Sequence, residues 1–357
     1  MPEETEALVT GQGDSEEVIR QQGASGVRSQ KAPSKVFADA IRHLQKQGVT
    51  FLDIKTPESC ERISTGLIGL DYTLGGGIPV GRILEVYGFE QSGKTTLAAE
   101  LAKTVQHERK RRVLYLDYEH SVDLVYFNNI GVDLRESLFL FNQPDYLEAG
   151  MDAAVALIET GEIGLLIVDS VASMIPKSEL EGTVEDNSIG LQARKMGQSL
   201  RKLTGLVSRN NTTILFVNQL RDKISSNPFL NKFESTVTPG GRALKFYSSI
   251  RLEMKKLKDN RHRMTVKKQK TCPLMKGVTE FEIGPNGIDQ ATHNKESLLN
   301  VGVLTSNAGK FYRDKKLVAA TEEQLHGYIK ERYRSLAADY KRTCDPELLR
   351  SYNSENF

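Results

Sequence analysis

One short segment, Gly88-Phe-Glu-Gln-Ser-Gly93-Lys94-Thr95-Thr96, constrains this chain more than any other feature. It matches the pattern GxxxxGK[ST], and it stands between an apolar run typical of a strand and a stretch with helical spacing. The glycines let backbone N–H groups turn inward around phosphate oxygens, and a helix N-terminus adds positive partial charge. In this pattern Lys94 reaches the β- and γ-phosphates, and the Thr95 hydroxyl holds Mg²⁺. The sequence therefore predicts an ATP site that comprises Gly88, Phe89, Glu90, Gln91, Ser92, Gly93, Lys94, Thr95 and Thr96.

A second apolar run ends in a carboxylate. It reads Leu165-Leu-Ile-Val-Asp169 and lies 75 residues beyond Lys94. Many strands end in Asp, but in the same α/β pattern this carboxylate is the expected partner that positions Mg²⁺. We therefore predict Thr95 and Asp169 as the metal ligands.

Hydrolysis of a bound nucleotide also needs a group that orients or deprotonates water. Glu119 follows the run Val113–Asp117, and a carboxylate just past a strand end can reach a γ-phosphate held by a neighbouring loop. Asp117 is the rival candidate for the same role. Either residue alone could equally be a solvated surface acid.

Short apolar runs alternate with helical stretches from about residue 62 onward. This alternation predicts an α/β core with a mostly parallel sheet, whose ligands bind beyond the carboxyl ends of the strands. The predicted strands are Ile83–Tyr87, Val113–Asp117, Leu165–Asp169, Ile214–Asn218 and Ile250–Met254, and the predicted helices include Thr95–His107 and Gly190–Val207.

The two ends of the chain differ from this core. Residues 1–33 carry six acids and no apolar period, which predicts a disordered tail. Residues 34–61 form an N-terminal oligomerisation segment, in which Phe37, Ala40, Ile41 and Leu44 lie at helical spacing and Gly48 is the expected stop. Because this short helix cannot bury its apolar side alone, we expect it to pack on the main body or on a neighbouring subunit. The core spans residues 62–291, and residues 292–357 form a small C-terminal α+β domain.

Composition bears on the cellular compartment of the protein and on whether it binds nucleic acid. Three cysteines far apart fit neither a zinc site nor a disulfide framework and favour a reducing compartment. The sequence shows no signal-peptide pattern and no apolar run of about 18 residues, so we predict a cytoplasmic protein without a membrane span. The net charge of +2 does not by itself indicate nucleic acid. Residues 251–276, however, hold ten Lys or Arg against two acids, and this charge stripe could be a solvated face or an interface.

Several motifs together resemble the RecA family, bacterial or phage-encoded, over roughly residues 34–290. They share the family's order and spacing, and they are Ile63-Ser-Thr-Gly66, Leu70-Asp71, the GFEQSGKTT loop, Asp117–Asp123, IVDSVA at 167–172, Phe216-Val-Asn-Gln219, Gly240-Gly-Arg-Ala-Leu-Lys-Phe-Tyr247 and Lys268-Gln-Lys270. The resemblance implies a RecA-type ATPase core with an N-terminal docking helix.

The resemblance also implies roles at the ATP site. Glu119 matches the family's catalytic glutamate, and Gln219 matches the glutamine that senses the γ-phosphate. Asp123 and Tyr126 match residues that contact the adenine. Lys268 and Lys270 match a lysine pair that reaches the ATP of the adjacent subunit, and Phe246 matches an interface residue that couples neighbouring sites.

Two segments, about residues 181–194 and 221–242, resemble the family's DNA-binding loops. The implied DNA contacts are Ile189, Arg194, Arg201, Arg221, Gly240 and Gly241. Each arginine alone could instead be a solvated charge. The second segment departs from the family in its sequence SSNPFLNKFESTVTP, and residues 351–357 lack the acidic tail common in bacterial members.

The predicted function is therefore an ATP- and Mg²⁺-dependent recombinase. It would form helical filaments on single-stranded DNA, pair that strand with homologous double-stranded DNA, and hydrolyse ATP when DNA is bound. A hexameric helicase motor would share the ATP site but lack the GGRALKFY and KQK segments. A non-hydrolysing ATP-binding regulator is disfavoured by the presence of Lys94, Glu119 and Asp169.

Overall fold

A computed structural model of the chain describes residues 35–49, 60–182, 190–222, 236–272 and 277–344. The chain divides into two units, Met1–Glu58 and Ser59–Phe357. In the first unit, helix α1 spans Lys35–Lys46 and none of its residues is buried. The chain turns at Gly48, whose positive φ of 82° favours glycine. The predicted helix and its stop are thus confirmed, while the predicted tail, residues 1–33, lies outside the described residues.

The described helices of the second unit run from one that precedes the phosphate loop to one at the C-terminal side. They are α2 (Ile68–Thr73), α3 (Lys94–Glu108), α4 (Leu124–Ile130), α5 (Leu147–Glu159), α6 (Lys177–Leu180), α7 (Leu191–Arg209), α8 (Gly241–Tyr247), α9 (Gln290–Asn300) and α10 (Glu322–Cys344). A 3₁₀ turn, Val171–Ser173, follows the strand that carries Asp169. None of the described helices combines the length and the apolar character that a membrane span needs.

The described strands of the second unit fall into one large sheet and three small ones. They are β1 (Arg62–Ile63), β2 (Ile78–Pro79), β3 (Ile83–Gly88), β4 (Arg112–Asp117), β5 (Phe139–Asn142), β6 (Ile163–Asp169), β7 (Thr213–Gln219), β8 (Arg221–Asp222), β9 (Thr236–Val237), β10 (Ile250–Lys256), β11 (Arg261–Gln269), β12 (Val278–Gly284), β13 (Gly287–Ile288), β14 (Thr305–Asn307), β15 (Lys310–Arg313) and β16 (Lys316–Ala319). All five predicted strands are present, each within two residues of its predicted bounds.

The large sheet has the order β13-β12-β11-β10-β3-β7-β6-β4-β5 in the described residues. Strands β10, β3, β7, β6, β4 and β5 run parallel, as predicted, whereas β11 to β13 add an antiparallel edge. Strands β3 and β6 are buried along their whole length because helices cover both faces of the sheet. Two apolar clusters, one on each face, hold α3 and α4 on one side and α5 and α7 on the other.

The antiparallel edge was not foreseen from the sequence. Strands β10 and β11 form a hairpin in which Lys256 pairs with His262, next to the carboxyl end of β3. Their alternating burial shows why the charge stripe is compatible with a strand, since apolar side chains face the core and most charges face outward. Several of those charges are paired, for example Lys267 with Glu253 and Arg263 with Glu280.

The C-terminal part of the second unit has its own apolar cluster. Strands β14 to β16 form a three-stranded antiparallel sheet beside α9 and α10, as the α+β prediction expects. The cluster includes Leu298, Phe311 and Leu325, together with Ile68 from α2. Tyr333 of α10 also donates a hydrogen bond of 2.8 Å to the buried Asp71, which ties this part to the start of the core.

Candidate nucleotide-binding site

The phosphate-loop motif forms the turn between β3 and α3, as predicted. Gly93 precedes α3 with a φ of 90°, a conformation that side chains rarely adopt. At Gly88 an added Cβ would lie 2.2 Å from the carbonyl oxygen of Met254, so only glycine fits there. Ser92 is buried, whereas Phe89, Glu90 and Gln91 are exposed on the rim of the turn. The backbone of this turn can therefore surround an anion at the start of α3.

Lys94 lies inside this loop. Its Nζ donates to the Phe89 carbonyl at 2.8 Å and lies 3.4 Å from Ser92 Oγ. Burial lowers the pKa of the Lys94 ammonium, while the negative charges of Asp169, Glu119 and Glu90 oppose that shift. The lysine thus stands in a half-enclosed site with carboxylates around it, where phosphate oxygens could replace the backbone acceptor.

Thr95 and Asp169 meet at the carboxyl end of β6. The Thr95 hydroxyl donates to Asp169 Oδ2 at 3.1 Å. Burial raises the pKa of Asp169 to about 6, although hydrogen bonds from Tyr115 and Thr95 counteract the shift. No cluster of three or more His, Cys, Asp or Glu in the described ranges could hold a metal by itself. One hydroxyl and one carboxylate beside a phosphate loop nevertheless fit Mg²⁺, which prefers oxygen ligands and shares them with substrate phosphates.

The two candidates for the catalytic base have different surroundings. Asp117 is fully buried and accepts hydrogen bonds from the backbone N–H of Glu119 at 3.2 Å, from that of Val122 at 3.4 Å and from Gln143 Nε2 at 3.0 Å. Glu119 is exposed just beyond this turn, and its carboxylate accepts from Gln219 Nε2 at 3.1 Å and 3.2 Å. The geometry favours Glu119 as the catalytic base, because the hydrogen bonds of Asp117 stabilise the turn from which Glu119 projects.

The predicted adenine contacts lie at the start of α4. Asp123 caps this helix and accepts from the N–H groups of Val125 and Tyr126. The Tyr126 hydroxyl lies 3.3 Å from Thr96 Oγ1 and donates to the Gly284 carbonyl at 3.3 Å. Tyr126 therefore connects the first turn of α3 with the end of β12.

Sequence reasoning missed the residues of β10 to β12 that contact the loop. The His262 ring donates from Nδ1 to the Ser92 carbonyl at 3.0 Å, and Lys256 Nζ donates to Gln91 Oε1 at 3.2 Å. These two side chains, with Asn260 and Ile283, line a cleft of about 320 Å³ against the loop. No local motif marks them, because they reach the loop only through the pairing of β10 with β3.

A larger cleft of about 520 Å³ lies away from the loop, between α5 and α7. Its lining includes Glu148, Asp152, Lys195 and Arg201. Because this larger cleft contains no residue of the glycine turn, whereas Gly93, Lys94 and Thr95 line the smaller one, the smaller cleft is the candidate nucleotide site.

Lys268 and Lys270 lie at the end of β11 that is remote from the phosphate loop of the same chain. Lys268 pairs in register with Arg251, which pairs with Glu85 near the start of β3. Both ammonium groups donate to the Phe246 carbonyl, at 3.1 Å and 3.0 Å, and the exposed Phe246 ring lies beneath Lys270. The structure thus gathers the three predicted interface residues into one group, in which Phe246 and Lys270 are exposed and Lys268 is half-buried, but does not bring them to the chain's own Lys94.

Four of the predicted DNA contacts converge beside the 3₁₀ turn after β6. Arg221 donates to the Ala172 carbonyl at 3.4 Å, and Arg194 lies in the first turn of α7. The glycines Gly240 and Gly241, with φ of 86° and 72°, begin α8; an added Cβ at Gly241 would lie 2.7 Å from the Ala193 Cβ. Arg201 is separate, two turns further along α7, and Ile189 lies outside the described residues.

Asn218 connects the nucleotide site, through its neighbour Gln219, with the segment that carries the predicted DNA contacts Gly240 and Gly241. Its Nδ2 donates to the Pro239 carbonyl at 3.0 Å and to Glu85 Oε1 at 3.0 Å, while its Oδ1 accepts from the Gln219 N–H. Glu85 is fully buried and ion-paired with Arg251. The end of β7 that carries Gln219 is therefore bonded directly to the residue before Gly240.

A parallel α/β sheet with a GxxxxGKT turn after one central strand and an aspartate after another defines a P-loop protein. A family model described as the RecA N-terminal domain matches residues 33–280. The chain is 39% identical over 316 residues to "Protein RecA" of Macrococcus caseolyticus, covering 85% of this chain and 86% of that one. It is 40% identical over 313 residues to "Protein RecA" of Campylobacter hominis, covering 83% and 88%. The chain therefore belongs to the RecA family of DNA recombinases.

Proposed function

We propose that this chain is an ATP-dependent recombinase that forms helical filaments on single-stranded DNA. It pairs that strand with a homologous duplex and hydrolyses ATP when DNA is bound. Base pairing supplies the sequence reading, so the protein itself needs only contacts to the DNA backbone. Family membership supports the role in recombination and repair, and the arrangement around Gln219 supports the coupling to ATP.

The single observation that carries the proposal is the bonding on both sides of Gln219. Its side chain contacts Glu119 at the ATP site, and its neighbour Asn218 contacts Pro239 next to the predicted DNA contacts Gly240 and Gly241. A phosphate that draws the Gln219 carboxamide toward it would therefore move a segment bonded to the DNA side. Ligand-dependent ordering of such a segment is a recognised form of switching.

The roles of individual residues follow from their positions. Lys94 and the N–H groups of the loop bind the phosphates, Glu119 accepts a proton from the attacking water, and Asp123 with Tyr126 faces the adenine. Thr95 and Asp169 would hold Mg²⁺, which when bound neutralises charge on the phosphate oxygens. Lys268 and Lys270 serve the ATP of a neighbouring subunit, since they lie apart from the loop of their own chain.

The DNA and the neighbouring subunit occupy different parts of the chain. Arg194, Arg221, Gly240 and Gly241 contact the DNA backbone, with Ile189 and Arg201 as further predicted contacts. Segment 34–61, which contains α1, docks on an adjacent copy. The proposed division into 1–33, 34–61, 62–291 and 292–357 assigns the core to ATP and DNA, and the cytoplasmic location stays a prediction from the cysteines.

The test combines turnover with microscopy. ATP hydrolysis is measured with and without single-stranded DNA for the wild type, Lys94→Ala and the control Lys103→Ala, which changes a lysine of the same helix that pairs with Glu100. We expect DNA-stimulated turnover in the wild type and the control, and none in Lys94→Ala. Filaments on DNA with a slowly hydrolysed ATP analogue support a recombinase, whereas closed rings would favour a helicase motor. Near-normal turnover by Lys94→Ala would contradict the site.

A further inference from the structure

A buried tyrosine on β4 contacts the carboxylate predicted to help hold Mg²⁺. Tyr115 is 0% exposed, and its hydroxyl donates to Asp169 Oδ2 at 2.7 Å. The two residues are 54 positions apart and meet because β4 and β6 are neighbours in the sheet. The same oxygen accepts from Thr95, so two hydroxyl groups hold one end of the carboxylate.

The ring of Tyr115 has no freedom to turn away from this contact. It packs against Phe127, Phe139 and Phe141, with ring centroids 5.4 Å, 6.1 Å and 5.9 Å away. Of these four rings only the one that reaches Asp169 carries a hydroxyl group. Since a buried hydroxyl is costly without a partner, and a phenylalanine would suit the packing equally, the contact with Asp169 accounts for the hydroxyl.

We infer that Tyr115 is a positioning residue for the magnesium site, which orients the Asp169 carboxylate through its hydroxyl hydrogen bond. This inference rests on the proposed ATP-dependent function. Groups that hydrogen-bond a ligating carboxylate fix its orientation, and their loss typically lowers metal affinity or activity about 10–100-fold. Tyr115 itself does not contact the nucleotide or the metal and acts only through Asp169.

The substitution Tyr115→Phe removes this one hydroxyl and keeps the ring. Its matched control is Tyr118→Phe on the turn after the same strand, since Tyr118 is also buried but donates to the Leu147 carbonyl at 3.1 Å. Binding of a fluorescent ATP analogue is titrated in EDTA and then at increasing Mg²⁺. Melting temperatures establish that both variants are folded.

We expect Tyr115→Phe to bind the analogue in EDTA as the wild type does, and to need about 10–100-fold more Mg²⁺ for half of the Mg²⁺-dependent gain in affinity. Excess Mg²⁺ should restore ATP turnover, which a loss of fold would not permit. Tyr118→Phe should match the wild type in its Mg²⁺ requirement. In an Asp169→Asn background, Tyr115→Phe should cause no further change in the residual Mg²⁺ dependence. The reason is that Tyr115 acts only through the Asp169 carboxylate, which this background lacks.

Three results would overturn the inference. A folded Tyr115→Phe protein whose Mg²⁺ requirement lies within about threefold of the wild type would show that the hydroxyl does not position Asp169. An equal effect of Tyr115→Phe in the Asp169→Asn background would show the same. A wild-type protein without any Mg²⁺-dependent nucleotide binding would instead remove the proposed ATP site, and the inference with it.

Discussion

The carboxamide of Gln219 donates to the carboxylate of Glu119, with Nε2 3.1 Å from Oε1 and 3.2 Å from Oε2. Gln219 is the last residue of β7, and Glu119 lies just beyond the end of β4. Because β6 lies between these two strands, the contact crosses the carboxyl edge of the sheet next to Asp169. Gln219, which we propose senses the γ-phosphate, is thus hydrogen-bonded directly to Glu119, which we propose as the general base. A change at one is expected to alter the function of the other.

Replacing Gln219 by Glu tests this contact. The substitution exchanges a donor for a second carboxylate, which repels Glu119 and cannot hold it in place. We expect DNA-stimulated ATP turnover to fall about 10-fold or more, part of the roughly 10²–10⁴-fold that a positioned base contributes. The control Gln324→Glu introduces the same charge on an exposed position of α10 and should leave turnover unchanged. Equal turnover in both variants would mean that the contact has no part in hydrolysis.

Glu119 and Asp117 are distinguished by isosteric amides. Glu119→Gln should bind ATP and assemble on DNA but lose about 10²–10⁴-fold in turnover, because it removes the base and nothing that supports the fold. Asp117→Asn should lower the melting temperature, because an NH2 group replaces one of the two acceptor oxygens and leaves at least one of the three N–H donors without a partner, at a cost of about 1–3 kcal/mol. The measurements are single-turnover hydrolysis and thermal unfolding. A loss under about threefold in Glu119→Gln would assign the base elsewhere.

Lys268 and Lys270 are predicted to act only in the assembled protein. Changing both to Ala should leave the nucleotide affinity of the isolated chain unchanged and abolish DNA-stimulated hydrolysis. Cations supplied from a neighbour to a transferring phosphate contribute roughly 10³–10⁵-fold in other NTPases. Mixing this variant with Lys94→Ala should restore part of the hydrolysis, since complete sites can form across mixed interfaces.

The competing explanation for this lysine pair is contact with DNA phosphates. Losing such a contact would reduce the slope of log affinity against log salt by about 0.7 per charge on single strands. An unchanged intrinsic slope together with recovery on mixing supports the interface role. A reduced slope without recovery at any mixing ratio would assign both lysines to DNA.

The buried Asp71 predicts how stability depends on pH. Burial raises its pKa above the usual value of 3.8, although hydrogen bonds from Ser64, Thr65 and Tyr333 counteract the shift. Because the folded state then binds this proton more tightly than the unfolded state, its contribution to stability is fully present below about pH 4. That contribution is lost as the pH rises through the folded pKa, with a slope of at most about 1.4 kcal/mol per pH unit.

The isostere Asp71→Asn removes this titration. As the pH rises above about 4, the free energy of unfolding of the wild type should therefore fall relative to that of the variant. Tyr333→Phe should destabilise the protein by about 1–3 kcal/mol through the lost hydrogen bond to the buried Asp71, whereas Tyr328→Phe, on the same helix, should cost less because its hydroxyl contacts the partly exposed Arg313 instead. Urea unfolding at several pH values measures both effects. A difference that does not vary with pH would contradict the assignment to Asp71.

The local elements of the core were predictable because their patterns are local. An apolar run, a glycine turn and a helical stretch follow one another along the chain at β3 and α3, and each is dictated by neighbours within a few residues. The same holds for the strands that end in Asp117 and Asp169. The antiparallel edge from β11 to β13 was missed, since its charged residues mask the alternation and its pairing with β10 is set by the rest of the sheet.

Residue type and spacing were enough to predict the phosphate loop, the strand-end carboxylates and the family resemblance, because these features are local in the chain. The surroundings of these residues could be seen only once the chain was folded. The tertiary structure buried Asp117 beneath the turn that exposes Glu119, and it set Tyr115 under Asp169 and His262 against Ser92. These contacts join residues that are far apart in the chain or on opposite sides of a turn. They exist because strand order and side-chain packing bring such residues together, and neither can be deduced from spacing along the chain.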